Sequence, residues 1–296
     1  MRSRGTLRAP SLPIRLAGGL LAASAIASVA FRARALSSGG AIAATLVGGC
    51  VFAGVGIRGS AALIAYFSTS TLLGRLPNPA TAQQRRGNRR DAIQVFANGG
   101  IPATLAVVTC FGSPRMKALA RAGFFGAVAS ATSDTWATEI GTRLGRNPRS
   151  IVTLQPTPPG ISGGITTVGL GGSLLGAAMI AFIAVVKPSP SSACQRSTAF
   201  AIAFGGITGS LVDSLLGATV QEVRICPNCR VETELLVHCR SVATRRTRGA
   251  AWCNNDIVNA LSAAIGACAT MALLGSLHLR NRHEFRRSRT FGHARV

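Results

Sequence analysis

Asp134, Glu139, Asp213 and Asp256 are carboxylates set inside or at the ends of long apolar runs, with Asn, Ser and Thr beside them. Hard oxygen donors of this kind hold divalent cations or orient phosphates. The chain has only 9 Asp+Glu against 32 Lys+Arg, and no acid precedes residue 91. A carboxylate near a bilayer centre costs roughly 2.5–3.5 kcal/mol on insertion scales, so ionisable groups in such runs mark function.

Four constellations carry the candidate chemistry. In Ser133-Asp134-Thr135-Trp-Ala-Thr138-Glu139-Ile-Gly141, Asp134 shares a helix face with Thr138, and Thr135 with Glu139. Asp134 and Glu139 are about 140° apart on a helix, so one ion takes both only if the helix unwinds near Gly141. The plainer reading is a carboxylate satisfied by neighbouring hydroxyls as interhelical glue. In the second, Asp213, Gly217 and Gln221 form a stripe beside Ser214, and a small-residue packing seam explains it equally well. In the third, Asn254 is a natural N-cap, while Asn255, Asp256 and Asn259 offer oxygens at a helix start; capping alone does not explain Asn259. The fourth runs Arg89-Arg90-Asp91-Ala-Ile-Gln94-Val-Phe-Ala-Asn98-Gly99-Gly100. Its Arg pair can hold phosphate bidentately or simply meet headgroups.

Cys226-Pro-Asn-Cys229 with His238-Cys239 has the first half of a zinc knuckle. The second half is poorer, because adjacent His and Cys rarely share an ion; Cys253 is a substitute ligand, and free thiols are the plainer reading. Eight cysteines at these positions fit no secreted disulfide scaffold: Cys50, Cys110 and Cys268 fall inside apolar runs. Walker A, His-Glu-x-x-His and kinase catalytic-loop patterns are absent from the sequence.

The elements that must position these residues are membrane helices. Hydrophobic residues make up 48% of the chain and charged ones 14%, well below the roughly 25% of soluble domains. A bilayer span needs about 20 apolar residues. Eight candidates are read at 16–31, 39–56, 59–74, 93–112, 122–140, 165–186, 198–220 and 256–278. The fold class is therefore an all-α polytopic bundle of about eight transmembrane helices, with a range of six to eight. Residues 1–36 form a basic segment and first helix, 37–278 the membrane domain with a polar Cys-bearing loop at 221–255, and 279–296 an Arg-rich tail. The first run, with Arg before it, also admits a signal peptide. The segment Phe125 to Thr135 aligns without gaps on Phe204 to Ser214, which is either an internal repeat or a chance match of two small-residue helices.

With eight helices, the loops at 75–92, 141–164 and 221–255 share one side. Lys and Arg divide evenly between the two sides when the tails are counted, but without the tails they favour the motif side, which is expected to be cytoplasmic. The net charge of +23 suggests nucleic acid, but the Arg residues lie between apolar runs and aromatics are only 5%, so anionic headgroups explain it and no nucleic-acid partner is expected.

Five stretches together resemble one family: QVFANGG, SDTWATEIG, TPPGISGGITTVG, GSLVDSLLGATVQ and WCNNDIVNALS, in family order over roughly 37–275. This family is the integral membrane proteins of domain of unknown function 92, which include transmembrane protein 19. The Cys-bearing loop looks like that of prokaryotic members, which implies a prokaryotic plasma membrane; the family pattern has Gly near the second Cys pair, where this chain has Arg240. The family's plant chloroplast branch is described as a phytyl-phosphate kinase. The resemblance thus implies a polyprenyl-phosphate kinase using a nucleoside triphosphate and magnesium on a prenyl-phosphate membrane lipid. In that reading Asp134, Glu139, Asp213 and Asp256 serve catalysis or magnesium. Arg89 and Arg90 meet phosphates, and Asn98, Asn255 and Asn259 orient the acceptor. Gly99, Gly100, Ser133, Thr135, Thr138, Ser214 and Gln221 line the substrate site. Zinc at Cys226, Cys229 and Cys239 is a second metal expectation. The rivals are a secondary transporter or flippase, whose acids would sit near the midplane, and a non-catalytic scaffold.

Overall fold

The computed structural model describes residues 10–78, 89–186, 193–233 and 235–292. Eight helices appear, one at each expected run: α1 Leu12–Arg32, α2 Ser38–Val55, α3 Ile57–Arg75, α4 Ala92–Phe111, α5 Pro114–Leu144, α6 Thr167–Val185, α7 Ala193–Thr219 and α8 Asn255–Gly292. Six of them, α1, α2, α4, α6, α7 and α8, are long and apolar enough to cross a membrane. Their outward faces carry Leu21, Phe111, Phe182 and Phe200, each more than 60% exposed. Such a belt suits hydrocarbon rather than water.

The helix ends follow local rules. Ser37, Asp91, Ser113 and Thr166 each accept a hydrogen bond from a first-turn backbone N–H, and Asp91 and Gln94 complete a reciprocal capping box. Gly56, at φ +75, turns the chain between α2 and α3 within a single residue, a conformation that glycine takes freely. α5 begins earlier than its apolar run because Ser113 caps it and Pro114 starts it. α8 likewise continues beyond its apolar part, so the expected tail from 279 is helical as far as Gly292.

α5 is the hub, packed against α3, α4, α6, α7 and α8. Every residue from Ala122 to Ser133 is buried. A helix sheathed by other helices needs small side chains more than greasy ones, because close backbone approach supplies the attraction in lipid. Gly126 of α5 and Gly205 of α7, which occupy equivalent places in the aligned segments, both abut Thr270 and Gly266 of α8; a side chain at either would collide with Thr270. The alignment thus has a spatial counterpart, with α8 gripped by two similar surfaces.

Short strands decorate the face where α3, α5 and α7 end and α4, α6 and α8 begin. β1 Arg149–Ser150 pairs with β2 Gly164–Ile165 in the loop between α5 and α6. Between α7 and α8 lie β3 Val223–Ile225, β4 Glu232–Thr233, β5 Val237–His238, β6 Val242–Ala243 and β7 Arg245–Arg248. They form one antiparallel sheet in the order β4-β3-β7 and a separate β5-β6 hairpin. Within the loop expected over 75–92, residues 79–88 lie outside the described residues.

Candidate phosphate and cation site at the helix ends

The acids meet because alternating helices return to the same face. Asp213 lies six residues before the end of α7, about 9 Å at 1.5 Å per residue, and Asp134 lies ten before the end of α5, about 15 Å. Asp256 stands in the first turn of α8. All three line one cavity of about 530 Å³ at this face. Glu139, Thr135, Thr138, Ser214, Gln221, Asn255, Asn259, Arg90 and Asn98 also line it, so most residues of all four constellations converge there.

The carboxyl groups of Asp134 and Asp213 lie within hydrogen-bonding reach of each other. Ser262 donates to Asp213 Oδ2 at 3.0 Å. Among the described residues, neither Asp134 nor Asp213 has an ion-pair partner. Two facing carboxylates without a basic partner form the donor set that a cation bridges. The cavity lining contains neither Cys nor His, so its donors are hard oxygens suited to magnesium rather than to a thiophilic metal. Ser70, on α3, adds a buried Oγ in the lining with no hydrogen-bond partner among the described residues.

Positive potential balances the acids. Arg90, Thr166 and Gly169, and Asn255 and Asp256, bring the starts of α4, α6 and α8 to the lining. Helix N-termini carry partial positive charge and free N–H groups, which favour phosphate. The Arg90 backbone is pinned by two hydrogen bonds of 3.0 Å, its N–H to Ala35 and its carbonyl from Ser37. Its guanidinium lies 5.5 Å from the Tyr66 ring centroid and 5.4 Å from that of Phe67. A cation held against ring faces is oriented without being neutralised.

Some expected residues lie elsewhere. Arg89 is exposed and does not line the cavity. Ser133 is buried and donates to the Ser173 carbonyl at 2.9 Å, joining α5 to α6. Gly99 packs on Val47, and Gly100 is half-buried outside the lining. Nor does α5 unwind at Gly141. That glycine instead admits Gly169, whose Cα would be 3.0 Å from an added Cβ. Glu139 therefore keeps its own helix face, and its Oε2 pairs with Arg143 at 3.0 Å. Arg143 in turn donates to the carbonyls of Leu73 at 2.6 Å and Leu76 at 2.8 Å, closing the end of α3.

A family model for the integral membrane protein DUF92 matches residues 21–267. The chain belongs to the DUF92 family. Among its relatives in that family, Protein PGR of Arabidopsis thaliana is 28% identical over 72% of this chain and 81% of its own length. An uncharacterised membrane protein of Methanocaldococcus jannaschii is 29% identical over 73% of this chain and 87% of its own. The chloroplastic protein VTE6 of Arabidopsis thaliana is 24% identical over 80% of this chain and 65% of its own. No solved structure matches this DUF92 protein.

The cavity of the DUF92 chain also contains residues outside the four constellations. Tyr66, Ser70 and Thr71 enter from α3, and the loop from Pro159 to Thr166 runs along the lining. In that loop Gly160 and Gly163 have φ of +84 and +85, and a side chain at Gly163 would strike Ala218. The glycine spacing in the sequence carried this signal, since backbone lines a site where glycine permits it. The Ser68-Thr69-Ser70-Thr71 run in an otherwise apolar helix was the corresponding signal on α3.

Proposed function

We propose that this chain is a membrane lipid-phosphate kinase, moving a phosphoryl group from a nucleoside triphosphate to a prenyl monophosphate at the face where its motif loops lie, and that this face is cytoplasmic. The observation that carries the reading is the convergence of Asp134, Asp213 and Asp256 with Arg90 and three helix N-termini on one cavity. Phosphoryl transfer needs positioning and charge neutralisation rather than covalent help from the protein.

Asp134, Asp213 and Asp256 are the residues that would hold magnesium, and bound there it would neutralise phosphate oxygens. Arg90 orients a phosphate against Tyr66 and Phe67. Asn98, Asn255 and Asn259 present amides to the acceptor, and Ser70 and Thr138 present hydroxyls. The lipid chain would leave the cavity between helices, where only apolar contact is required. A relative that bears the name of a chloroplastic protein agrees with a prenyl-lipid role.

Asp256, in the first turn of α8, and Asp213, about 9 Å from the end of α7, stand on one side of a hydrocarbon core roughly 30 Å thick, while Asp134, about 15 Å in, reaches its middle. The test is to incubate purified protein with farnesyl, geranylgeranyl or phytyl monophosphate, several nucleoside triphosphates and magnesium. A prenyl diphosphate from at least one pair is expected, and its absence from every pair overturns the proposal.

A further inference from the structure

The Cys-bearing loop between α7 and α8 takes no part in the kinase reading, yet it holds a built metal geometry. We propose that Cys226, Cys229 and Cys239 through Sγ, and His238 through Nδ1, bind one tetrahedral Zn²⁺ that staples the two halves of this loop to each other.

The four donor atoms lie within 4.8 Å of one another. His238 Nδ1 is 3.4 Å from Cys229 Sγ and 3.2 Å from Cys239 Sγ. Zn–S bonds of about 2.3 Å and Zn–N bonds of about 2.0 Å give tetrahedral edges of roughly 3.8 Å between sulfurs and 3.5 Å from sulfur to nitrogen. The two sulfur-to-nitrogen separations lie close to such an edge, as for donors gathered around a central ion. Three thiolates and a neutral imidazole are a soft donor set with tetrahedral demand, which selects zinc over magnesium.

The backbone supports the same conclusion. Arg230, at φ +56, folds back so that its N–H donates to the Cys226 carbonyl at 2.8 Å. Cys239, Arg240 and Ser241 have φ of +45, +56 and +86. Residues with side chains hold such conformations only where something else fixes them. The left-handed turn at 239–241 also answers the objection to adjacent His and Cys ligands, because it brings Cys239 Sγ to the same side as His238 Nδ1. Cys253 is buried outside the cluster and is not needed.

The loop has reason to need a staple. Its strands are two to four residues long, and Leu236 and Val237 are exposed, so it has little core of its own. A three-thiolate zinc site carries a net negative charge, and Arg230 and Arg240 directly follow two of the ligands. The two ends of the loop are Gln221, which lines the cavity, and Asn255 and Asp256, which line it too. A hydrogen bond of 2.7 Å from the Glu222 N–H to the Cys253 carbonyl ties those ends together.

The experiment is metal analysis of the full chain purified in detergent without added metal. About one zinc per chain is expected, released when a mercurial caps the thiols and read with a chromogenic dye. C229S and H238A should each lose more than about tenfold of that zinc, and C253S and C194S should keep it. Cobalt exchanged into the wild-type chain should show thiolate-to-metal charge-transfer absorption. Wild-type protein with no zinc, iron in its place, a Cys226–Cys229 disulfide in the non-reduced chain, or full zinc retention in C229S would each overturn the proposal. None of these readings depends on kinase activity.

Discussion

The cavity collects its polar groups from residues 66 to 259, spread over α3 through α8, whereas the Cys cluster collects its donors from residues 226 to 239 alone. Rigid helices that alternate direction deliver distant residues to a shared face, and packing of Gly126, Gly205 and Gly266 fixes the delivery. The loop cannot use that device. It has no long element to hold it, and the ion pair between Arg224 and Glu222 at 2.6 Å is a local one. One region is therefore specified by the whole bundle and the other by a few local ligands. Their chemistries differ in the same way, hard oxygens in one and sulfur in the other.

The thiols of the loop illustrate how local that specification is. The backbone N–H of Cys229, hydrogen-bonded to Cys226, is the main influence holding the Cys226 thiol down to about 6. The Cys229 side chain, hydrogen-bonded to Cys239, is the main influence raising that thiol to about 11. Burial alone raises Cys253. Within one short loop, neighbours set opposite shifts.

The largest separation between the two regions should come from D134N and D213N. Each is expected to cut diphosphate formation by roughly 10²–10³, the scale of removing one preorganised electrostatic group, while zinc content stays unchanged. Activity within a few-fold of wild type in both variants would end the proposal that these carboxylates serve the chemistry. R90A comes next, with KM for the prenyl phosphate raised by about tenfold or more, and R90K should not restore it because the planar stack on Tyr66 and Phe67 is lost. C229S should behave in the reverse sense to D134N. It should lose zinc and gain tryptic cleavage after Arg230 and Arg240, with activity reduced by about tenfold or less, because the metal acts only through the position of Gln221 and Asp256. Equal losses of activity and zinc in D134N would merge the two regions and refute the division.

Much of this organisation was legible in the sequence. Length and apolarity fixed eight helices, and sparse acids in apolar runs pointed to Asp134, Asp213 and Asp256 because alternation alone puts their helix ends on one face. The Pro159–Thr166 loop was harder to place, since it contributes backbone more than distinctive side chains. The β-strands were invisible for a different reason: two-residue strands leave no alternation to detect. At Arg240, where the family pattern has Gly, the residue type gave no sign of a left-handed turn, yet Arg240 adopts φ +56, a conformation that glycine takes freely.

Glu139 gives the smallest expected effect and the sharpest comparison, because it lies five residues from Asp134 and lines the same cavity. Sequence alone cannot separate the two. In the structure Glu139 pairs with Arg143, and Arg143 closes the end of α3 through backbone carbonyls. E139Q should keep catalysis within about threefold, since a neutral amide can still accept from the guanidinium. R143A should instead act on stability, costing about 1–3 kcal/mol for carbonyls left without their donor and lowering the thermal midpoint of the detergent-solubilised protein. If E139Q abolishes turnover as completely as D134N while the midpoint stays fixed, Glu139 belongs with the acids that meet the substrate. Its pairing with Arg143 would then be only the resting arrangement of the site.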